Sequence, residues 1–507
     1  MSDSGSALAT AALVAYFGIL GPLAGVGALR LVALWVVSRR PRPQPPAGPT
    51  EPAPILVQLP LYNEANVAER LIDKVAQLRW SGPLAIQVLD DSTDETRALV
   101  DAAAARHRRA GLDVRVHRRP DRSGFKAGAL ASGLAACPEP PFVAIFDADF
   151  LPEPDFLERT VPTLLSDPGL GLVQTRWGHL NRDQSFLTRA QAVFLDGHFG
   201  IEHAARAALG HPFNFNGTAG VWRRAAIEAG GGWQGDTITE DLDLSYRAQL
   251  AGWRFTYLHD VVAPAELPAT WSAFRAQQAR WARGSAETAR KLLGKVSRSP
   301  RLALDAKLDA GYHLLASFVW IPMALLAVAL PLALVLREEL GWRVPGGRML
   351  LAGLDHLSLG VGTLALVAYY VGALARSQTL RAGRLLDVLM ALSVGAGMSL
   401  GNALEVLRGL RSRQSEFVRT PKSGAKSSGK YRARVALSLG VVELMVCATH
   451  LWTLGYALRW SVWGATPFLV MYAVGFGSMG GHTLWEAMSD YRRARLERVS
   501  AFETRPG

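Results

Sequence analysis

Long apolar runs lie near both ends of the chain, and short apolar runs alternate with amphipathic ones between them. Residues 7–29 carry no charge over a length that crosses the ~30 Å of hydrocarbon in a bilayer. Residues 312–336, 357–375, 435–458 and 462–481 are apolar over similar lengths. The pattern therefore predicts five transmembrane helices, one before and four after a polar central domain.

One further apolar run, residues 385–404, is expected to be an interfacial or buried helix. If it crossed the membrane, residues 408–434, with nine Lys or Arg and one acid, would lie outside, against the positive-inside rule. The same rule orients the first span, because Asp3 precedes it and Arg30 follows it. The N terminus is expected outside, with the central domain and the C terminus in the cytoplasm.

Between residues 55 and 176 the alternation is that of a β-α-β fold with a mostly parallel sheet. We expect this α/β domain to extend to residue 263, after a proline-rich linker at residues 39–54. Ligands of such open sheets bind beyond the carboxyl ends of the strands. Four acids occupy predicted strand ends: Asp90, Asp91, Asp147 and Asp149.

Composition narrows the class of protein further. The chain has 507 residues, of which 49% are hydrophobic, and a net charge of +12. Its basic residues concentrate beside the apolar spans, which favours a membrane surface and argues against nucleic-acid binding. Cys137 and Cys447 lie in different parts of the chain, so neither a disulfide framework nor a cysteine-rich metal site is expected.

Candidate chemistry begins at Asp147 and Asp149. Two carboxylates delivered to one cleft, together with a diphosphate, suit Mg²⁺ or Mn²⁺, although helix-capping aspartates in a solvated loop explain the same pattern. Lys126 opens a predicted helix, where a lysine can meet phosphate; an ordinary solvated lysine is an equal alternative.

The sequence TED, Thr239, Glu240 and Asp241, begins another predicted helix within residues 213–253, which we expect to form a separate layer. The positive end of a helix dipole keeps a carboxylate ionised, so Asp241 is a candidate general base. A capping box with Thr239 as the cap explains the same residues equally well.

The sequence QQARW, residues 277–281, follows 36 residues later. Aromatic and basic residues around it are typical of a helix lying on an anionic membrane surface. The Trp281 indole is also a suitable apolar platform for a sugar ring, and Arg280 can neutralise a leaving diphosphate. Both interpretations remain open on the sequence alone.

These motifs occur in the order Asp91, Asp147-Ala148-Asp149, Thr239-Glu240-Asp241 and Gln277-x-x-Arg280-Trp281, followed by membrane spans. The chain thus resembles the processive inverting glycosyltransferases of family 2, typified by cellulose synthase. The segments QVLDDSTDET, KAGAL and TEDLDLSYRA are most similar to the cellulose-synthase-like mannan and glucomannan synthases. The resemblance implies a GT-A (Rossmann-like) catalytic domain.

The resemblance also implies roles for individual residues. It assigns nucleotide-sugar binding to Pro60, Tyr62, Glu64, Asp90, Asp91, Lys126, Asp147, Asp149 and Arg280. It assigns metal binding to Asp147 and Asp149. It assigns catalysis to Asp241, as the base, together with Glu240 and Thr239. Acceptor positioning falls to Gln277, Gln278, Arg280 and Trp281. The segment EFVRTPKSG resembles a gating loop at Phe417, Thr420 and Lys422, with a solvated basic linker as the alternative.

The expected function is polymerisation of a β-linked polysaccharide at the bacterial inner membrane, with Mg²⁺ or Mn²⁺ as cofactor. The expected donors are GDP-mannose, giving β-1,4-mannan or glucomannan, or UDP-glucose, giving β-1,4-glucan. The alternative is transfer of one sugar to a lipid acceptor, as in ceramide glucosyltransferases. Membrane lipids and an outer export partner complete the expected contacts.

The expected domains follow in chain order. They are a first transmembrane helix (1–38), the linker (39–54), the GT-A domain (55–263), interfacial helices with QxxRW (264–311), two transmembrane helices with an interfacial helix (312–404), the gating-type loop (405–434), two transmembrane helices (435–481) and a cytoplasmic tail (482–507).

Overall fold

A computed structural model describes residues 3–44, 46, 52–341, 353, 360, 362–411, 437–460 and 462–503. Its strands are β1 (Ile55–Leu61), β2 (Leu84–Asp90), β3 (Asp113–His117), β4 (Phe142–Ile145), β5 (Leu170–His179), β6 (Gly220–Arg223) and β7 (Arg254–Ala265). They form one seven-stranded sheet in the order β3-β2-β1-β4-β6-β5-β7.

The sheet is mixed, with β6 as its antiparallel strand. β1 pairs in parallel with β2 and β4, β2 with β3, and β5 with β7, whereas β6 runs antiparallel to both of its neighbours. The predicted parallel β-α-β half is therefore confirmed. The expectation of a separate layer for residues 213–253 is wrong, because β6 inserts between β4 and β5 of the same sheet.

Helices cover both faces of the sheet, which is why its strands are apolar on both sides. They are α2 (Ala68–Val75), α3 (Thr96–Arg109), α4 (Phe125–Ala136), α5 (Phe156–Ser166), α6 (Phe186–Gly197), α7 (Ala204–Leu209), α8 (Arg224–Ala229) and α9 (Glu240–Leu250). One core packs around α2, α3 and α5. The other packs around α4, α8 and α9 and contains Trp222 and Phe215.

The remaining helices flank this domain. They are α1 (Asp3–Arg39), α10 (Trp271–Arg298), α11 (Leu304–Leu314), α12 (Trp320–Gly341), α13 (Gly362–Arg376), α14 (Arg384–Arg411), α15 (Leu437–Arg459) and α16 (Thr466–Glu503). Four described helical stretches are long and apolar enough to cross a membrane: Val14–Arg39, Ala316–Val335, Arg384–Arg411 and Leu437–Arg459.

One of these stretches, and one predicted span outside them, bear on the sequence-based topology. Arg384–Arg411 overlaps the run expected to be interfacial or buried, and 61% of its apolar window is buried inside the protein. The run at 462–481 falls in α16, which is not among the four stretches. The five-span count and the domain limits therefore stay predictions.

Helix α10, which carries QQARW, is joined to α14 and α15 by two ion pairs. Arg275 donates hydrogen bonds from Nη1 and Nη2 to the Glu443 carboxylate of α15 at 2.6 and 2.8 Å. Its Nη2 also donates to Thr483 of α16 at 3.1 Å. Beyond the motif, Arg283 pairs with Glu405 of α14. The two arginines bracket QQARW and fix it against the helical bundle.

We predict that Glu443→Gln lowers the thermal unfolding midpoint, because it leaves the Arg275 guanidinium buried without its counter-charge. The free energy of unfolding is expected to fall by about 3–5 kcal/mol, as it does when one partner of a buried ion pair is removed. The double variant Arg275→Met with Glu443→Leu removes both charges and should recover most of that loss. Equal unfolding midpoints for Glu443→Gln and the unaltered protein, measured in detergent, would contradict this role of the pair.

Candidate active site

A cavity of about 230 Å³ opens at the sheet edge where β1, β2 and β4 end, and α10 closes its far side. The residues from the sequence analysis that line it are Pro60, Tyr62, Glu64, Asp91, Lys126, Asp147, Asp149, Thr239, Glu240, Asp241, Gln277, Arg280 and Trp281. Thus motifs separated by up to about 220 residues along the chain share one space.

Lys126 lies at the centre of the acidic groups. Its Nζ is 2.6 Å from Asp147 Oδ1, donates to the Gly217 carbonyl at 2.8 Å and lies 3.9 Å from Glu240 Oε1. Burial works to lower the pKa of Lys126, but the charges of Asp147 and Glu240 outweigh it and the pKa is raised. The ammonium group therefore stays charged and links the two acidic motifs.

The carboxylates of Glu240 and Asp241 have raised pKa values because both are buried. Lys126 and, for Asp241, the N–H of Leu242 act in the opposite direction. This N–H donates to Asp241 Oδ1 at 2.8 Å. The helix start thus assists ionisation of Asp241, as expected, but burial is the larger effect.

Helix α10 also holds the TED segment in place. The N–H of Ile238 donates to Glu287 at 2.9 Å, and the hydroxyls of Thr239 and Thr288 lie 3.1 Å apart. A Cβ on Gly284 would lie 2.5 Å from Thr239 Cγ2, so glycine permits this close approach. Thr239 caps the start of α9 without a side-chain capping hydrogen bond, which removes the capping-box interpretation.

The two acids closing β2 have different surroundings. Asp91 lines the cavity and accepts hydrogen bonds from Arg119 Nε at 3.1 Å and Nη2 at 2.5 Å. Asp90 is buried outside the cavity wall and accepts from Arg118 Nε at 2.8 Å. Adjacent residues of an extended chain point to opposite faces, so only one of the two reaches the cavity.

An arginine that the sequence analysis did not identify stands over a predicted pocket residue. The Arg122 guanidinium carbon lies 3.3 Å from the centre of the Tyr62 ring, and both residues line the cavity. Burial lowers the pKa of Arg122, against the pull of Tyr62 and Asp91. The signal in the sequence is its place four residues before Lys126, in the loop entering α4.

The QQARW residues divide between two spaces. Gln277, Arg280 and Trp281 line the cavity at the sheet edge, the candidate catalytic cavity, whereas Gln278 lines a second cavity between α1, α12, α13 and α14. One residue turns the direction of a helical side chain by about 100°, which separates the two glutamines. Burial lowers the pKa of Arg280 to about 10, so it remains a cation at neutral pH. Phe417, Thr420 and Lys422 lie outside the described residues.

We predict that Gly217→Ala lowers turnover at the candidate site on the order of 10²-fold, because it displaces groups of the site. Gly217 has φ +82°, and a Cβ there would lie 3.0 Å from Asp241 Oδ2 and 3.3 Å from Lys126 Nζ. Gly210→Ala is the matched control, since Gly210 has φ +68° and open space around its Cβ position. Steady-state turnover of both variants, with unfolding midpoints alongside, checks the prediction; equal losses would attribute the effect to backbone strain.

Comparison with known proteins gives the family of this domain. Residues 52–284 match the family model described as "Glycosyltransferase like family 2". The chain is 42% identical over 294 residues to glucomannan 4-beta-mannosyltransferase 2 of Arabidopsis thaliana, covering 56% of this chain and 55% of that protein. It is 44% identical over 268 residues to glucomannan 4-beta-mannosyltransferase 7 of the same plant, covering 52% and 48%. The chain thus spans about half the length of the curated relatives it matches.

Among solved structures, the chain is similar to mannosyltransferase PcManGT from Pyrobaculum calidifontis, in complex with GDP-Man and Mn²⁺. The two are 23% identical with a TM-score of 0.47, over 74% of this chain and 99% of that one. The residues that match the family model are also those that form the mixed sheet, with its motifs at one edge. Residues 52–284 form a glycosyltransferase family 2 domain with a GT-A-like fold.

Proposed function

We propose that this chain is a membrane-embedded inverting glycosyltransferase that extends a β-1,4-mannan or glucomannan from GDP-mannose, with UDP-glucose and β-1,4-glucan as the second choice. The observation that carries the proposal is the meeting of Asp147, Asp149, Asp241 and the QxxRW residues in one cavity beside the membrane helices. The mannosyltransferase names of the curated relatives support the choice of donor.

The donor end of the cavity is assigned to the sheet edge. Tyr62, Glu64 and Asp91 line a pocket for the nucleoside, with Arg122 over the Tyr62 ring. The Lys126 ammonium stands where a diphosphate would follow.

Asp147 and Asp149 fit a divalent cation. Both line the cavity, Asp149 is buried, and carboxylate oxygens are ligands that Mg²⁺ and Mn²⁺ accept. No group of three or more acidic, histidine or cysteine side chains suited to a metal occurs among the described residues, so donor oxygens would complete the coordination. A bound cation would neutralise the charge that develops on the leaving diphosphate.

The acceptor end is assigned to Asp241 and α10. Asp241 accepts the proton of the attacking hydroxyl, and a single in-line displacement at the anomeric carbon inverts its configuration. Trp281 offers an indole face to the acceptor sugar, and Arg280 stabilises the departing diphosphate. Glu240, beside Asp241 and Lys126, helps to balance the charge of the site.

The proposal also includes the coupling of chain extension to export of the product across the membrane. A second cavity of about 300 Å³ lies between the membrane helices and is lined by Gln278, His198, Trp320 and Tyr369 among others. Asn216 of the catalytic cavity donates from Nδ2 to His198 Nε2 at 2.9 Å, so one hydrogen bond connects the two walls. Aromatic faces with scattered polar groups suit a carbohydrate chain.

The membrane orientation remains part of this proposal. The catalytic domain faces the cytoplasm of a bacterial cell and the N terminus lies outside. Product leaving the second cavity would meet an outer export partner, while membrane lipids surround the apolar helices.

The deciding experiment offers the purified full-length protein radiolabelled GDP-mannose, UDP-glucose or UDP-N-acetylglucosamine with Mg²⁺ or Mn²⁺. The proposal expects a water-insoluble or long-chain product from GDP-mannose that endo-β-1,4-mannanase degrades. A lipid-extractable single-sugar product would instead establish transfer to a lipid acceptor, and product from UDP-glucose alone would replace the donor assignment.

We predict that Asp241→Asn lowers kcat by about 10²- to 10⁴-fold, because the amide cannot accept the proton of the attacking hydroxyl. Nucleotide-sugar binding should change little, as measured by the KM for the donor. Asp236→Asn is the control, since Asp236 is an exposed carboxylate five residues away that pairs with Lys291. Full turnover by Asp241→Asn would remove its assignment as base.

We also predict an acid limit to turnover that reflects burial of the base. The pKa of Asp241 is raised from 3.8 to about 6 by burial, and the base must be ionised, so kcat falls as the pH drops through about 6. If the base were an exposed aspartate, kcat would fall only near pH ~4. A profile of kcat against pH at saturating donor checks this; a flat profile down to pH ~4.5 would contradict a buried carboxyl base.

A further inference from the structure

A third cavity, of about 240 Å³, lies where α1 meets the junction between α11 and α12. We call it the junction cavity. Arg30, Glu202, Arg206 and Tyr312 line one end of it. None of these four side chains lines the catalytic cavity, although Arg30 and Glu202 also line the second cavity. The sugar-transfer step proposed above gives Arg206 and Tyr312 no role.

Arg206 is the unusual member of this set. It is only 4% exposed, yet its Nε and Nη1 have no hydrogen-bond partner among the residues that the structure describes. The nearest ion pair is with Asp309, whose Oδ2 lies 3.4 Å from Nε. A buried guanidinium with unsatisfied N–H groups is costly unless a ligand or water supplies acceptors. The cavity beside it is the place for such acceptors.

The unsatisfied N–H donors at the polar end favour an anion. Arg30 Nε lies 3.3 Å from Glu202 Oε1, and this nitrogen also lacks a hydrogen-bond partner among the described residues. Glu202 Oε2 faces His198 Nδ1 at 3.5 Å. Glu202 is the one carboxylate among the described residues that line the cavity, and Asp309, which pairs with Arg206, lies outside the cavity wall. In this wall, the N–H groups left without acceptors all belong to the two guanidinium groups.

The other end of the cavity is apolar. Pro22 and Val26 precede Arg30 at intervals of four residues and so share its face of α1. Val319 and Pro322 line the opposite wall. Both walls run from the catalytic domain along helical stretches apolar enough to cross a membrane, so the polar end lies at the domain and the apolar end runs into the bilayer.

We propose that the junction cavity binds one anionic phospholipid of the surrounding bilayer. Its phosphate accepts hydrogen bonds from Arg206 and Arg30, and one acyl chain lies between α1 and α12. A zwitterionic headgroup would add a cation beside the two arginines, whereas phosphatidylglycerol adds none. The bound lipid fills the space between the first membrane helix and the catalytic domain and becomes part of their contact.

The test measures lipid retained by the full-length protein, independently of sugar transfer. Protein purified in detergent is incubated with micelles containing equal parts of phosphatidylcholine and phosphatidylglycerol, and bound lipid is identified by native mass spectrometry. The unaltered protein should retain phosphatidylglycerol selectively. Arg206→Gln should lower that retention about tenfold or more, the effect of losing charge-assisted hydrogen bonds.

A second variant changes the apolar end of the cavity. It tests the proposal independently if Arg206→Gln fails to fold. Ala316 is exposed and lines only the junction cavity among the three, so Ala316→Trp should fill the groove and lower retention with Arg206 intact. Arg39→Gln is the control, because Arg39 is an exposed arginine at the end of α1 outside the cavity. It should retain phosphatidylglycerol as the unaltered protein does.

Three results would overturn the proposal. Equal retention of the two phospholipids would remove the anion selectivity. Displacement of phosphatidylglycerol by inorganic phosphate would show that the acyl chain makes no contribution. Preferential retention of an added polyprenyl phosphate would identify a lipid-linked substrate in place of a bilayer lipid. Because no arm measures product, failure here leaves the proposed glycosyltransferase activity standing, and failure of that activity leaves lipid binding standing.

Discussion

Close packing of α10 against the TED segment is the contact on which the arrangement of the site depends. One face of this helix meets Thr239 through Gly284, while Arg275 and Arg283 join the same helix to α14, α15 and α16. The position of Trp281 relative to Asp241 therefore depends on how one helix, α10, packs against its neighbours. A displacement of α14 or α15 relative to the sheet would therefore act on α10, which carries Gln277 and Trp281 of the cavity wall.

The charge balance of the cavity follows from the same packing. Asp147, Asp149, Glu240 and Asp241 gather around Lys126, with Arg280 on the α10 side. Burial raises the pKa values of Glu240 and Asp241, and Lys126 offsets only part of this.

Much of the site could be predicted because the strand-end rule uses only local patterns. Apolar runs identify β1, β2 and β4, and the acids that follow them must reach one edge of a parallel sheet. The same reasoning missed β6, a strand of four residues whose pairing joins β4 and β5 over long sequence distances. Short antiparallel insertions leave no periodicity of their own.

The residues of α10 that support the TED segment could not be predicted from the sequence either. Gly284, Glu287 and Thr288 read as ordinary positions of an amphipathic helix, and their partner segment lies more than forty residues earlier. Asp90 and Gln278 show a second limit of local patterns. Each neighbours a residue that reaches the cavity, and one step along a strand or a helix turns the side chain elsewhere.

The packing of α1 has a consequence for the order of assembly during synthesis. Leu34 of α1 lies so close to Gly372 that a Cβ there would be 2.6 Å from Leu34 Cδ1, and a Cβ on Gly27 of α1 would lie 3.3 Å from Ala365 of α13. The partners of α1 at these two points are thus translated more than three hundred residues later. This packing can form only after the whole α/β domain has been made, and a chain stopped after α11 would leave α1 without it.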